Sequence, residues 1–301
     1  MISYDRIKLE HLSKKEKQIY KGLLCPGVDH PEQDPHFFDP EIPQIGIAAV
    51  FQKKPIGLLI GRYVDTGVWE IISLFVEHEH RRRKIGTHLM QALEKELKPK
   101  NLNSLLFNYK NDLIPLLDPF LAQLDWDGRK SFALECFFED TRKFHPAWFD
   151  RQYKLKNPEF EFFPWKDLKN GEKAELLKQK ESGRFPVYYD PFQRETFEPH
   201  TSFGLRYNGR LAGWCLTHEI KPHFLDFFCL YSDYDLQAKG VPIQLLIHSI
   251  KAAQNTPFSA RFFVNFKQVS LRWIRTVAKR LAPYATRVTL YHQAWKKLSK
   301  S

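Results

Sequence analysis

The hydrophobic pattern of the first 140 residues alternates between blocks of strand length and blocks of helix length. Apolar runs predict strands at 6–9, 71–76 and 105–109, a hairpin over 47–60, and a last strand at 131–138. Ser13 and Glu16 have the spacing of a capping box, which predicts a helix start. Amphipathic segments predict further helices from 86 to about 98 and near 113–124. The mixture of strands and helices predicts the α/β (α+β) class.

The second half of the chain repeats this pattern. With a shift of 156 residues, 47–76 aligns with 203–232 without a gap, so that Gly57 meets Gly213. With a shift of 157, Asn108 meets Asn265. A fixed spacing over several elements indicates a tandem duplication. We therefore predict the domains 1–145 and 159–301, joined by a linker at 146–158.

A cationic turn lies between a predicted strand and a predicted helix. The strand ends at Val76, four cations follow at 81–84, and Gly86 and Thr87 open the helix. The free N–H groups of a first helical turn point outward, and the helix dipole favours negative charge there. This arrangement predicts an anion site whose ligand carries phosphate.

The same turn resembles the signature of the GNAT N-acetyltransferase superfamily, a strand followed by Arg/Gln-x-x-Gly-x-Gly/Ala and a helix. Here the signature has Lys84 in place of the first glycine. The resemblance implies two tandem GNAT folds, each a mixed, mostly antiparallel twisted sheet flanked by helices. It also implies that the turn binds the pyrophosphate of acetyl-coenzyme A. The expected cofactor-binding residues are Phe75, Val76, Arg81, Arg82, Arg83, Lys84, Ile85, Gly86, Thr87 and Asn108.

A second copy of the turn lies 156 residues later, with Gln237 over Arg81 and Gly240 over Lys84. Pro242 stands over Gly86 and has no N–H to donate. We therefore expect the first copy to hold the main acetyl-coenzyme A site. Candidate residues of the second copy are Asp226, Gln237 and Gly240.

Glu70 is the candidate general base, because it lies eleven residues before Arg81, where the histone-acetyltransferase branch of the family has its glutamate. An amine must lose a proton before it attacks a thioester, and a carboxylate can accept that proton. Asp226 is the acid at the equivalent position of the second copy. The tyrosine that many GNAT enzymes use as an acid aligns with Leu121 and Ala278. Either Tyr109 serves instead, or the thiolate leaves without an acid.

Charge is unevenly divided between the two halves. The net charge of +11 combines −1 in residues 1–150, from 21 Lys and Arg against 22 Asp and Glu, with +12 in residues 151–301. The basic half predicts a possible acidic partner or nucleic acid. The helix predicted at 270–281 is apolar on one side and basic on the other. Neither a metal site nor a membrane partner is expected, and four cysteines without paired spacing favour the cytoplasm.

The leading hypothesis is an acetyl-coenzyme A-dependent N-acetyltransferase acting on a primary amine, with Glu70 as general base. The acceptor is a small molecule or a protein or peptide, and the loops at 26–43 and 183–199 are expected to shape the choice. One alternative is an aminoacyl-tRNA-dependent transferase. Another is a catalytically weak, coenzyme A-responsive binding protein that uses its basic half.

Overall fold

The computed structural model describes residues 1–24, 43–65, 67–100, 102–153, 158–194 and 196–298. Its contacts divide the chain into two compact units. Unit 1 comprises residues 1–132 and 290–301, and unit 2 comprises residues 133–289.

Unit 1 is built on a six-stranded sheet in the order β1-β2-β3-β4-β5-β12. Neighbouring strands are antiparallel except β4 and β5, which are parallel. The strands are β1 (Ile2–Ile7), β2 (Gln44–Phe51), β3 (Lys54–Asp65), β4 (Val68–Val76), β5 (Ser104–Lys110) and the part of β12 (Arg287–Lys297) that belongs to this unit.

Helices cover both faces of this sheet. On one face, α2 (Ile85–Leu97) and α3 (Ile114–Ala122) pack on Trp69, Ile71 and Phe107. On the other face, the segment around α1 (Lys14–Lys21) packs on Leu58 and Ile60. The mixed, mostly antiparallel sheet flanked by helices confirms the predicted fold class.

Unit 2 has the same plan, with the sheet order β6-β11-β10-β9-β8-β7 and one parallel pair, β10 and β11. Its strands are β6 (Asp127–Phe138, from residue 133), β7 (Phe160–Pro164), β8 (Phe203–Tyr207), β9 (Arg210–Lys221), β10 (Phe224–Ser232) and β11 (Ser259–Asn265). Its helices are α4 (Ala147–Tyr153), α5 (Asn170–Glu181), α6 (Tyr234–Gln237), α7 (Val241–Ala253) and α8 (Leu271–Arg280).

The last strand of each sequence repeat pairs in a sheet whose other strands come from the other repeat. Residues 291–297 of β12 pair with β5 in unit 1, and residues 133–138 of β6 pair with β11 in unit 2. The compact units therefore differ from the linear domains predicted at 1–145 and 159–301. The predicted linker at 146–158 contains α4, whose Phe149 is fully buried.

Some local details of the structure agree with the sequence pattern, and one does not. Ser13 and Glu16 form the predicted capping box at the start of α1. The hairpin turns carry positive φ at equivalent residues, Gln52 and Lys53 in one repeat and Asn208 and Gly209 in the other. The first strand was predicted at 6–9, which is wrong: β1 ends at Ile7, and a short 3-10 turn follows.

Candidate active site

The two parallel strands of unit 1 part before they end. β4 and β5 are paired only from Val68 with Ser104 to Ile71 with Phe107, although β4 continues to Val76 and β5 to Lys110. The register of β3 against β4 shifts by one residue at this point, because Ile60 faces Ser73 and Gly61 faces Ile71. The extra residue is a β-bulge, which bends β4 away from its neighbour. A cleft between parallel strands opens toward their carboxyl ends.

The helix α2 begins at the same end of the sheet. Its N-cap is Lys84, in the left-handed conformation with φ of 59°, and no side chain caps the helix. The N–H groups of Ile85, Gly86 and Thr87 lie in the first helical turn, where no carbonyl of the helix can accept them. The predicted anion site depends on donors of this kind, at a helix start that no side chain caps.

Arg81 has a different task from the cations that follow it. Its Nε donates to the Val76 carbonyl at 3.0 Å, and its guanidinium lies 5.6 Å from the centre of the Phe75 ring. Arg81 thus closes the turn onto the end of β4. Arg82, Arg83 and Lys84 are exposed and form no ion pair within the described part of the chain. They supply the positive charge of the turn.

Glu70 lies at the base of the cleft, one residue before the last pair of β4 with β5. Its side chain is buried and accepts two hydrogen bonds. Nε of Arg62, directly opposite on β3, donates to Oε2 at 3.0 Å, and Nδ2 of Asn108 donates to Oε1 at 2.6 Å. An ionised carboxylate has about four lone-pair positions, so two of them are still available to a proton donor.

Unit 2 contains the same turn in a modified form. Gly240 is the N-cap of α7 with φ of 78°, and Nε2 of Gln237 donates to the Ser232 carbonyl at 3.3 Å, as Arg81 does to Val76. Pro242 lies in the first turn of α7 and removes one N–H from it, as predicted. The parallel pairing of β10 with β11 also stops early, at Phe227 and Phe262.

Asp226, the counterpart of Glu70, is enclosed by arginines. It is 3% exposed. Arg194 donates to its Oδ2 at 2.8 Å, and Nε of Arg261 donates to Oδ1 at 2.9 Å. Two guanidinium groups on one buried carboxylate make a structural clamp, because a charge in low dielectric needs partners of this kind.

Part of the chain is similar to a known protein family. A search of curated protein sequences finds no match. Residues 14–112 match the model of the Acetyltransferase (GNAT) family. This segment is about a third of the chain, and the similarity to the GNAT family rests on it.

Solved structures extend the GNAT fold to the whole chain. The chain is similar to a tandem GNAT protein from the clavulanic acid biosynthesis pathway, with a TM-score of 0.67, 12% identity and 100% of both chains covered. It also resembles a GCN5-related glucosamine N-acetyltransferase region of a fungal multi-domain GH3 β-N-acetylglucosaminidase, with a TM-score of 0.66 and 13% identity over 98% of this chain and 38% of that one. A GNAT acetyltransferase from Colwellia psychrerythraea gives a TM-score of 0.55 and 12% identity over 99% and 100%.

Within the GNAT fold of unit 1, Tyr109 is separated from Glu70. Asn108 and Tyr109 are consecutive in β5, so their side chains point to opposite faces of the sheet, and Glu70 contacts Asn108. Tyr109 is buried, and its hydroxyl donates to Asp118 of α3 at 2.8 Å. Burial and the Asp118 carboxylate raise the pKa of Tyr109 well above its usual value. The structure thus brings Glu70 and Asn108 together and places Tyr109 elsewhere.

The structure also bears on the position of Leu121, on one predicted loop and on metal and membrane sites. Leu121, at the position of the GNAT tyrosine, is buried in α3. The loop predicted to shape acceptor choice at 26–43 lies outside the described residues except for residue 43. Across the described ranges, no three His, Cys, Asp or Glu side chains are grouped to hold a metal ion. No helix of the described residues is long and apolar enough to cross a membrane.

Two residues of the candidate site were not predicted from the sequence. Arg62 could have been found, because the hairpin places it opposite Glu70 and opposite charges favour such cross-strand positions. Gln293 donates from Nε2 to Oδ1 of Asn108 at 3.2 Å, and no local pattern indicates this contact.

The alignment of Asn108 with Asn265 is wrong. Because Glu70 faces Leu106 and Asp226 faces Arg261, the counterpart of Asn108 is Phe263.

Proposed function

We propose that the protein is an acetyl-coenzyme A-dependent N-acetyltransferase that acts on a primary amine, with its active site in unit 1. The observation that carries the proposal is the placement of Glu70, a buried carboxylate, at the base of the cleft that leads to the uncapped start of α2. GNAT acetyltransferases are typically acyl-coenzyme A-dependent, and the residues 14–112 that match the family include both features.

The residues of the turn fit a long ligand with phosphate at one end. The N–H groups of Ile85, Gly86 and Thr87 would hold the phosphates, and Arg82, Arg83 and Lys84 would neutralise them. From Val76 back to Glu70 is roughly 20 Å at about 3.3 Å per residue along a strand. A ligand anchored at the turn must therefore be extended to reach the carboxylate. Acetyl-coenzyme A has this shape, and it supplies an acetyl group activated as a thioester.

The role of Glu70 in this proposal is to accept the proton that the acceptor amine loses, directly or through one water molecule. Arg62 and Asn108 fix the direction of the carboxylate, so that its remaining lone pairs have one orientation. The hydroxyl of Tyr109 donates a hydrogen bond to Asp118 and has no part in the acetyl transfer. The thiolate leaves without protonation by a tyrosine.

Unit 2 is proposed to support unit 1 rather than to catalyse. Asp226 is clamped by Arg194 and Arg261, and Pro242 removes a donor from the first turn of α7. Among the described residues, three cysteines are buried free thiols, Cys136, Cys215 and Cys229, which is compatible with a reducing compartment such as the cytoplasm.

The basic charge of the second half supports an acidic partner as an additional ligand. The helix α8 exposes Arg272, Arg275 and Lys279 and buries Val277. This surface is suited to a polyanion, whether an acidic protein or a nucleic acid. Binding of a polyanion should weaken steeply as salt is raised.

Calorimetric titration with acetyl-coenzyme A tests the donor, and an amine panel tests the acceptor and the base. We expect binding by the intact protein and acetyl transfer to at least one of a polyamine, an amino sugar, an amino acid and a lysine peptide. Glu70→Gln should bind acetyl-coenzyme A normally and lose about 100-fold or more in kcat. Absence of binding would exclude the donor. Full activity of Glu70→Gln would exclude Glu70 as the base.

A further inference from the structure

Gln293 belongs to the last strand of the chain, yet it contacts the candidate base through one residue. β12 pairs with β5 so that Gln293 faces Asn108. Nε2 of Gln293 donates to Oδ1 of Asn108 at 3.2 Å, and Nδ2 of Asn108 donates to Oε1 of Glu70 at 2.6 Å. The three side chains form a continuous hydrogen-bonded series.

This series determines which way the Asn108 amide points. The two ends of an amide differ, because the oxygen only accepts and the nitrogen only donates. The carboxylate of Glu70 only accepts, so the nitrogen of Asn108 faces it, and the donor of Gln293 occupies the oxygen at the other end of the amide. If the amide turned over, its oxygen would lie against the Glu70 carboxylate, and two acceptors would face each other. Gln293 therefore stabilises the one orientation in which Asn108 can hold Glu70.

Unit 2 provides an internal comparison, because it lacks this series. The position of Asn108 is taken by Phe263, which has no amide. Phe263 faces Glu135 on β6, where unit 1 has Gln293. Asp226 is bound by the guanidinium groups of Arg194 and Arg261 instead. A carboxylate held only by cations has a structural role, whereas Glu70 is held on one side by a neutral, directional donor.

We propose that Gln293 is a positioning residue for Glu70, acting through Asn108. This inference rests on the proposed function, in which Glu70 accepts the proton of the amine. It means that the final strand of the second sequence repeat completes the catalytic site of unit 1. Gln293 itself touches neither the acceptor nor the acyl donor.

The variant Gln293→Glu is the main test, because the new carboxylate cannot donate to Oδ1 of Asn108. It should accept from Nδ2 of Asn108 instead, so that Glu70 loses this donor. With acetyl-coenzyme A and the best amine of the panel, we expect kcat to fall about 10-fold and KM for acetyl-coenzyme A to stay unchanged. A fall in kcat without a change in KM is the signature of a misplaced base, whereas a general loss of folded structure would affect both constants.

Lys296→Gln is the matched control on the same strand. Lys296 donates to Glu94 of α2 at 2.8 Å, so this change loosens the docking of β12 without touching Asn108. It should leave kcat and KM as in the wild type. Gln293→Leu, which cannot accept from Asn108, should have an intermediate effect. In the Asn108→Leu variant, a further change at Gln293 should have no additional effect on kcat, because the effects of coupled residues do not add.

A readout without substrate separates the possible failures. The side-chain amide signals of Asn108 in NMR spectra should shift in Gln293→Glu and remain in place in Lys296→Gln. Unchanged signals and normal kinetics in Gln293→Glu, beside an inactive Glu70→Gln, would overturn the positioning role alone. Normal activity of Glu70→Gln would overturn the proposed base and this inference with it, and so would a wild-type protein inactive on every amine.

Discussion

Lys84 and Gly240 have the same left-handed backbone conformation, with φ of 59° and 78°, and each is the N-cap of the helix that follows its turn. Glycine adopts this conformation freely, whereas a residue with a Cβ atom does so at a cost. Lys84 therefore keeps the turn geometry of a glycine while it adds a positive charge. The departure from the family signature thus preserves the backbone conformation of the turn.

Replacing Lys84 by glycine should stabilise the protein. We expect Lys84→Gly to raise the free energy of unfolding by about 1 kcal/mol, because the backbone strain of the left-handed lysine is lost. Urea denaturation measures this change. Arg83→Gly is the control, since Arg83 is not among the residues with positive φ, and it should lower stability instead. Equal effects of the two changes would argue against strain at Lys84.

The exposed cations of the turn should contribute to donor binding through charge. Replacing Arg82, Arg83 and Lys84 together by glutamine should weaken acetyl-coenzyme A binding about 10-fold at low salt. The difference from the wild type should shrink as ionic strength rises, because salt screens exposed charges. Calorimetry at two salt concentrations measures both effects.

A charge-matched variant controls for the net charge of the protein. Lys14, Lys15 and Lys17 are exposed residues of α1, away from the turn in sequence. Their replacement by glutamine removes the same charge and should leave acetyl-coenzyme A binding unchanged. A similar loss in both triple variants would show that only the overall charge matters.

The two equivalent carboxylates should differ in what they contribute to folding. Asp226→Asn leaves Arg194 and Arg261 without their buried counter-charge, and we expect a loss of about 3–5 kcal/mol in the free energy of unfolding. Glu70→Gln should cost less, about 1–2 kcal/mol, because only Arg62 loses a charged partner. Chemical denaturation of both variants decides the matter. A larger loss in Glu70→Gln would contradict the structural role given to Asp226.

Tyr109→Phe separates a structural tyrosine from a catalytic acid. The change removes the hydrogen bond to Asp118 and should cost about 1 kcal/mol of stability. The rate of acetyl transfer should be close to that of the wild type, since Tyr109 lies on the face of the sheet opposite Glu70. Stopped-flow detection of the free thiol measures this rate. A fall of about 100-fold with stability intact would assign the acid role to Tyr109 after all.

His248 should make the protein sensitive to acid. It lies on α7 with its ring stacked on Phe162, 4.0 Å between centroids, and burial lowers its pKa to about 4. A histidine with a lowered pKa contributes stability that is complete above its unfolded value, near 6.5, and is lost as the pH falls toward 4. His248→Phe keeps the aromatic stacking and removes the titration. Its unfolding free energy should decline less between pH 7 and pH 5 than that of the wild type.

The turn and the repeat were predictable because both are visible in the order of residues along the chain. The order of strand, cations and helix predicted the turn before α2, and the 156-residue spacing predicted the second turn with its proline. The alternation of apolar and polar residues along β5 also indicated which face of the sheet Tyr109 occupies. Leu105, Phe107 and Tyr109 share the buried face, whereas Asn108 lies on the other. That period of two already separates Tyr109 from any residue that contacts Asn108.

The pairing of β12 with β5 was not predictable in the same way. Paired positions of these strands are 181 residues apart at Tyr291 with Lys110 and 193 residues apart at Lys297 with Ser104. Either last strand has an apolar pattern that fits either sheet, so no local property of the sequence distinguishes the partners. For this reason Gln293 could not be placed near Glu70 from its own surroundings, and Asn108 was assigned to the cofactor alone.

The exchanged last strands have a consequence for any attempt to divide the protein at its repeat boundary. A fragment that ends at residue 145 retains β5 but loses β12, so that one side of β5 presents unpaired N–H and C=O groups. An open edge of this kind recruits other chains, and the fragment would aggregate or dimerise through it. A single cut at the repeat boundary therefore cannot yield two complete halves, because each half depends on a strand that the other half encodes.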